Sequence, residues 1–311
     1  YLVVPNAGNR ERVAGLLARR CAGFEARVED LSLSIALIAV QGPRAAEVLT
    51  GVVESGAAMP AALRPQEGAE PGAECGADVV CGPTLLRRLR YYAAVRATAA
   101  GHAIVLARTG YTGELGFEIL CPIGKTVDVW NALVAAGGDD ILPCGLASRD
   151  SLRMGAILPL SQQDIGPWPF VHTPWDFALP RDKEGKLTKS FLGSTVYDNP
   201  PESYTLPYCG FDPRKVDAHH GARVLLDGKD IGVVTTCCVE VACSRVNGKI
   251  VSTSSPDKPA DFKPKGLVAG YVRVDRKLEP GTKITLKDDR RSIEVEVVAD
   301  IRPGRTARVA I

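Results

Sequence analysis

The chain has 311 residues, 45% of them hydrophobic and 24% charged, and its 38 basic and 36 acidic residues leave a net charge of +2. That balance excludes the basic stripe of a nucleic-acid-binding surface. The longest apolar run, Ile35 to Val40, is strand-length and far short of the roughly 18 residues that a membrane span needs. The length predicts about two domains, with cores large enough to do without disulfide staples. Nine cysteines with no CxxC pair predict reduced thiols in a reducing compartment and argue against a zinc ribbon. Small core residues are their simplest role.

Tyr1-Leu2-Val3-Val4 reads as a strand already under way and not as a signal peptide, so a preceding segment is expected. After the turn at Pro5–Gly8, Asn9 can cap a helix whose apolar positions are Val13, Leu16, Leu17 and Cys21. A second strand, Ile35–Val40, runs to Gly42-Pro43, and Pro43 suits the first turn of a helix with Ala45, Val48, Leu49 and Val52 on one face. From about 54 to 83 the composition shifts to Ala, Gly, Pro and Glu, which predicts an inserted loop or mobile excursion. Ala103–Ala107 and Leu115–Cys121 are strands, and the glycines of the link between them suit a tight hairpin. A helix follows with Val127, Trp130, Leu133 and Val134 on one face, stopped by Gly137-Gly138. Another helix runs from about Gly145 to Met154.

Residues 161–203 are rich in Pro and aromatics and lack periodicity. From Tyr204 the pattern is all β: six short alternating strands, with Asp227-Gly228 as a hairpin signal, predict a small antiparallel barrel or sandwich. The division expected is an α/β region over 1–160, a connecting segment over 161–203 and a β domain over 204–311. The mixed rhythm of strands and helices predicts α/β or α+β.

Two blocks could carry chemistry. In Arg108-Thr-Gly-Tyr-Thr-Gly-Glu-Leu-Gly-Phe-Glu118, Tyr111 sits at the turn and Glu118 returns among apolar neighbours. Its carboxylate either faces solvent or is held to accept paired N–H donors, and charge-assisted pairs are the strong ones. In Gly145–Leu160, Arg149 and Arg153 share a helix face, and Asp150 and Arg153 are spaced to pair across one turn. By spacing alone that pair is a surface ion pair worth a few tenths of a kcal/mol. His172, near Trp168, Phe170 and Trp175, reads as part of a packed aromatic cluster. His219-His220, without a third ligand at metal spacing, reads as exposed loop.

Both blocks resemble the glycine-cleavage T-protein family, the tetrahydrofolate-dependent aminomethyltransferases. Arg108–Glu118 is similar to the family's Arg-Thr-Gly-Tyr-Thr-Gly-Glu-x-Gly-aromatic-Glu signature at every named position. Gly145–Leu160 resembles its Gly-Leu-x-Ala-Arg-Asp-Ser-Leu-Arg-Leu block. Tyr1–Asn9 is similar to Tyr-x-Val-Val-Asn-Ala-x-Asn, with Pro5 extra, and Ile35–Pro43 to the strand before Gln-Gly-Pro. The resemblance implies an α+β, T-protein-like multidomain fold: a ferredoxin-like α/β folate-binding region and a C-terminal antiparallel β-barrel.

It also implies a reaction, the transfer of a one-carbon unit from an aminomethyl-lipoyl carrier protein, the H-protein, to tetrahydrofolate with release of ammonia. Glu118 would grip the amino-pyrimidine edge of the pterin and Tyr111 would line the same pocket. Arg149 would contact the folate further along, and Val4 and Asn6 would border the pterin. The family's key aspartate falls before the position of Tyr1, so no catalytic residue is assigned here. Residue 155 is Gly where the family usually carries Glu, and Pro167–Pro180 departs from its Thr-Pro-x-Glu-Ala-Gly stretch. The divergent 161–180 stretch motivates one alternative, a folate-dependent demethylase of a small methylated donor. The absent N-terminal part of the family pattern, the insert at 54–83 and an altered C-terminal barrel motivate another, an inactive structural subunit of a larger assembly. The expected location is the mitochondrial matrix or, alternatively, a bacterial cytoplasm.

Overall fold

The computed structural model describes residues 1–57, 79–199 and 201–309. Most of the expected inserted loop therefore lies outside the described residues. The chain divides into two compact units. One comprises Tyr1–Gly110, Glu114–Pro143 and Ala307–Ile311; the other comprises Tyr111–Gly113 and Cys144–Thr306.

In the first unit the strand expected at Tyr1–Val4 does not form. A strand needs a neighbour to take its N–H and C=O groups, and none among the described residues pairs with this one. Helix α1 (Arg10–Cys21) forms with Asn9 at the N-cap position, but the Asn9 side chain makes no capping hydrogen bond, and the helix buries none of its residues. Then come β1 (Ile35–Gln41), α2 (Ala45–Thr50), β2 (Val53–Ala57), β3 (Val79–Cys81), α3 (Gly82–Arg88), β4 (Ala94–Ala99), β5 (His102–Ala107), β6 (Gly116–Pro122) and α4 (Thr126–Gly137). Glu54–Ala57 and Val79–Cys81, expected within a loop, are paired strands. Cys81 is disulfide-bonded, so the thiols are not all reduced as expected, although seven other cysteines are free.

The six strands form one antiparallel sheet in the order β1-β6-β5-β4-β2-β3. Strand alternation sends Ile38, Val40, Leu106, Phe117 and Ile119 to one face. There they share a core with Val48 and Leu49 of α2, Leu85 and Leu86 of α3, and Val129 and Leu133 of α4. The buried stripe of α4 is Val129, Leu133 and Gly137, at helical i, i+4, i+8 spacing. Val127, Trp130 and Val134, expected inside, are exposed. Gly137 admits Ile141, whose Cγ2 lies 2.4 Å from where a Cβ would stand.

The second unit begins with α5 (Leu146–Gly155) and continues through β7 (Tyr204–Gly210), β8 (Arg223–Leu226), β9 (Lys229–Glu240), β10 (Cys243–Val246), β11 (Lys249–Ser252), β12 (Leu267–Val274), β13 (Lys283–Lys287) and β14 (Ser292–Val297). Six of these strands close a barrel in the order β12-β7-β14-β13-β8-β9, and β10-β11 form a separate hairpin. Closure leaves no unpaired strand edge. Asp227 and Gly228 make the expected turn between β8 and β9, both with positive φ (51° and 78°), as a two-residue hairpin of this type requires.

An irregularity in β9 changes which of its side chains face outward. Tyr271 of β12 pairs with Thr236, but its neighbour Val272 pairs with Val234, so Thr235 is an extra, bulged residue. A bulge reverses the inside–outside alternation beyond it. Val234 belongs to the barrel core, whereas Thr236, Cys238 and Glu240 turn to the outer face, where Cys238 packs with Met154 of α5.

Candidate functional site

Glu118 lies on the face of the first unit's sheet that the helices do not cover. Its register partners are Ala39 of β1 and Ala107 of β5, and partners across antiparallel strands share a face. The carboxylate is half-buried, with exposed Ala39 on one side and buried Ala107 on the other. The Thr109 hydroxyl donates to its Oε2. Thr109 is held in turn. The Gln41 side-chain amide donates to the carbonyls of Thr109 (3.2 Å) and Phe117 (3.1 Å), one on each leg of the signature link. Two signature glycines make this possible, because Cβ atoms on Gly110 and Gly116 would stand 1.9 and 2.1 Å from the Gln41 Oε1. Arg108 is a buried anchor, donating to the carbonyls of Leu89 (3.0 Å) and Val309 (2.5 Å).

Tyr111 and Arg149 come together in the second unit. The Arg149 guanidinium stands over the Tyr111 ring, 4.6 Å from its centroid, a cation–π contact. The Tyr111 hydroxyl donates to the Pro159 carbonyl at 2.5 Å, and burial pushes its pKa up, which keeps it a donor. Arg149 itself is exposed, free to meet an anionic group.

The pair expected at the surface, Asp150 and Arg153, is different in kind. Arg153 is fully buried. Its guanidinium donates to Asp150 (2.7 Å), Asp164 (2.7 Å), the Leu158 carbonyl (3.1 Å) and the Thr236 hydroxyl (3.0 Å). Burial opposes its charge, yet Asp164 and Asp150 raise its pKa. Asp164, equally buried, accepts from the Leu160 N–H (2.9 Å) and the hydroxyls of Thr235 and Thr236 (both 2.7 Å). Helix packing against the barrel explains the burial, which i,i+3 spacing could not reveal.

Beside this network, Gly155 faces Glu240. A Cβ on Gly155 would stand 2.0 Å from a Glu240 carboxylate oxygen, and Glu240 pairs with Arg302 at 3.7 Å. His172 is indeed packed among aromatics. It stacks on Phe170 at 4.4 Å, is 1% exposed, and burial draws its pKa down to about 4. Val4 is exposed, and Asn6 precedes a short 3₁₀ turn without capping it through its side chain. The structure brings neither one to Glu118. His220 is exposed and pairs with Asp217 at 2.6 Å. Among the described residues, no three His, Cys, Asp or Glu side chains cluster to hold a metal, and no helix is long and apolar enough to cross a membrane.

Gln41, Thr109 and Asp164 are supports that sequence reading did not assign. Gln41 had a signal: a polar residue closing an apolar strand directly before a glycine. Asp164, in a segment without periodicity, had none.

Residues 77–179 match the family described as GCVT N-terminal domain. The chain is 33% identical over 303 residues to an aminomethyltransferase of Saccharopolyspora erythraea, covering 96% of this chain and 68% of that protein. It is 31% identical over 237 residues to the aminomethyltransferase of Cutibacterium acnes, covering 76% of this chain and 57% of that one. A solved structure, the glycine cleavage system aminomethyltransferase T from Bartonella henselae, superposes with a TM-score of 0.63 at 25% identity, over 97% of this chain and 68% of that one. The chain thus belongs to the aminomethyltransferase (T-protein) family and has its α+β fold with a closed antiparallel barrel. It spans between about half and two-thirds of the length of the curated relatives it matches. Those relatives are bacterial, which lends the mitochondrial expectation no support.

Proposed function

We propose that this chain binds tetrahydrofolate and serves as a one-carbon transferase, with Glu118 taking the amino-pyrimidine edge of the pterin. The observation that carries this reading is the half-buried carboxylate of Glu118, set between Ala39 and Ala107 on the sheet face opposite the helix-covered core. A flat heterocycle with adjacent N–H donors suits such a carboxylate, because its two oxygens can accept two parallel donors. When bound, tetrahydrofolate accepts the one-carbon unit. The chain's own residues bind and orient it: Glu118 by its carboxylate, and Tyr111 and Arg149 as further folate contacts. Val4 and Asn6 are carried as bordering residues on family resemblance alone.

The proposed donor is the aminomethyl-lipoyl arm of a carrier H-protein. The divergent stretch Pro167–Pro180 keeps a free methylated donor in competition. Calorimetry with tetrahydrofolate tests the binding, with Glu118→Gln as control; a parent protein that does not bind overturns the reading. Turnover assays with an aminomethyl-lipoyl carrier and with free methylated amines then separate the two donors.

A second reading, a subunit that organises a larger assembly, is favoured by one observation. Helix α1 buries none of its residues, and Tyr1, Leu2, Val3 and Val4 expose apolar surface. Recovery of the purified protein in a stable hetero-complex that lacks folate would support it.

A further inference from the structure

We infer that Gln41 is a positioning residue for the Glu118 carboxylate; the inference rests on the reading that Glu118 binds the pterin. The chain of contacts is short. One carboxamide donates to the carbonyls of Thr109 and Phe117 at 3.2 and 3.1 Å. Thr109 supplies the hydroxyl that Glu118 accepts, and Phe117 is the residue immediately before Glu118. A single side chain from β1 therefore fixes both the donor that orients the carboxylate and the backbone from which the carboxylate springs.

The surroundings show that this seat is built. Gly110 and Gly116 lie on opposite legs of the link, and a Cβ on either would overlap the Gln41 carboxamide, at 1.9 and 2.1 Å from Oε1. Any side chain at either glycine would expel the amide. Glutamine also fits the chemistry: its NH₂ offers two donors to two carbonyls, which a carboxylate cannot. Gln41→Glu would turn an acceptor oxygen towards two acceptor carbonyls.

A carboxylate free to rotate must be ordered when ligand arrives, and that ordering costs affinity. Gln41 and Thr109 impose the order beforehand. Glu118 keeps lone pairs for a ligand while Thr109 occupies one of them. The pterin edge would meet a carboxylate already in the plane that its two donors require.

The test is a double-mutant cycle on the full chain, read as tetrahydrofolate dissociation constants by calorimetry. Gln41→Ala and Thr109→Val should each weaken binding about tenfold, the scale of one hydrogen bond to a charged group. Thr109→Ser should restore it. Placed on a Glu118→Gln background, Gln41→Ala should cause no further loss, because it acts through the carboxylate. Equal losses from Gln41→Ala with and without that carboxylate would overturn the inference, as would binding at the parent level. If Gln41→Ala unfolds the unit, Gln41→Met, which keeps the length of the side chain and removes both amide donors, carries the same cycle. Should Glu118→Gln itself bind like the parent, the folate reading fails, a result distinct from additive losses.

Discussion

The Glu240 carboxylate occupies the space that a side chain on Gly155 would fill, with its Oε2 2.0 Å from the missing Cβ. The family usually carries a glutamate at that helix position. Here the helix supplies a glycine and the barrel strand supplies the carboxylate, which still finds Arg302 at 3.7 Å. Gly155→Glu should therefore destabilise the protein by about 3 kcal/mol, since two carboxylates would compete for one buried site. Combining it with Glu240→Ala should recover most of that loss in urea denaturation. No recovery in the double variant would rule out the exchange.

The Arg153 network predicts a large loss on breakage. Arg153→Ala strands Asp164, a fully buried carboxylate, and removing one partner of a buried pair costs about 3–5 kcal/mol. Set against total stabilities of about 5–15 kcal/mol, that should lower the denaturation midpoint steeply. Arg153→Lys should rescue little, because a single ammonium cannot reach the spread acceptors Asp150, Asp164, Leu158 and Thr236.

His172 predicts an acid-side loss of stability. Its folded pKa is drawn down to about 4 by burial, while an unfolded histidine titrates near 6.5. Between those values the unfolded chain binds the proton and the folded chain does not. Stability is therefore complete above about pH 6.5, falls as the pH drops, and levels off below about 4. The span corresponds to about 3 kcal/mol. His172→Phe, which keeps the stack on Phe170, should flatten the stability profile between pH 4 and 6.5.

Arg149 and Tyr111 should separate binding from folding. Arg149 is exposed, and its cation–π contact is worth about 0.5–1 kcal/mol, so Arg149→Ala should hardly change the thermal midpoint. Tetrahydrofolate affinity should fall about tenfold if the guanidinium meets a charged part of the ligand. Tyr111→Phe, which loses the bond to Pro159, should cost stability instead. Unchanged affinity in Arg149→Ala would remove it from the folate contacts.

Much of the fold is legible in the residues themselves. Strict alternation marks β13 and β14, Asp227-Gly228 marks the hairpin, and the signature around Glu118 marks the candidate site. The features that escape such reading depend on long-range packing. Val129 and Leu133 face inward on α4 while Trp130 does not, because the sheet covers only one side of that helix. Arg153 reads as a surface ion pair by spacing and is buried because the barrel covers α5. Tyr1–Val4 has strand composition but no described neighbour to pair with. Asp164 and Gln41 could not be assigned their roles from spacing, since their partners lie far along the chain.

The extra residue at Thr235 gives this sequence slack in one place. Thr236, Cys238 and Glu240 face α5 on the far side of a residue that the ladder itself does not pair. Loss of a single codon at 235 would bring Val234 and Thr236 next to each other, opposite the neighbours Val272 and Tyr271 that they already pair with. Ordinary alternation would then hold all three side chains where they now stand. The deletion would take away only the Thr235 hydroxyl that Asp164 accepts. Length at this position is constrained less tightly than the identity of the residue that fills it.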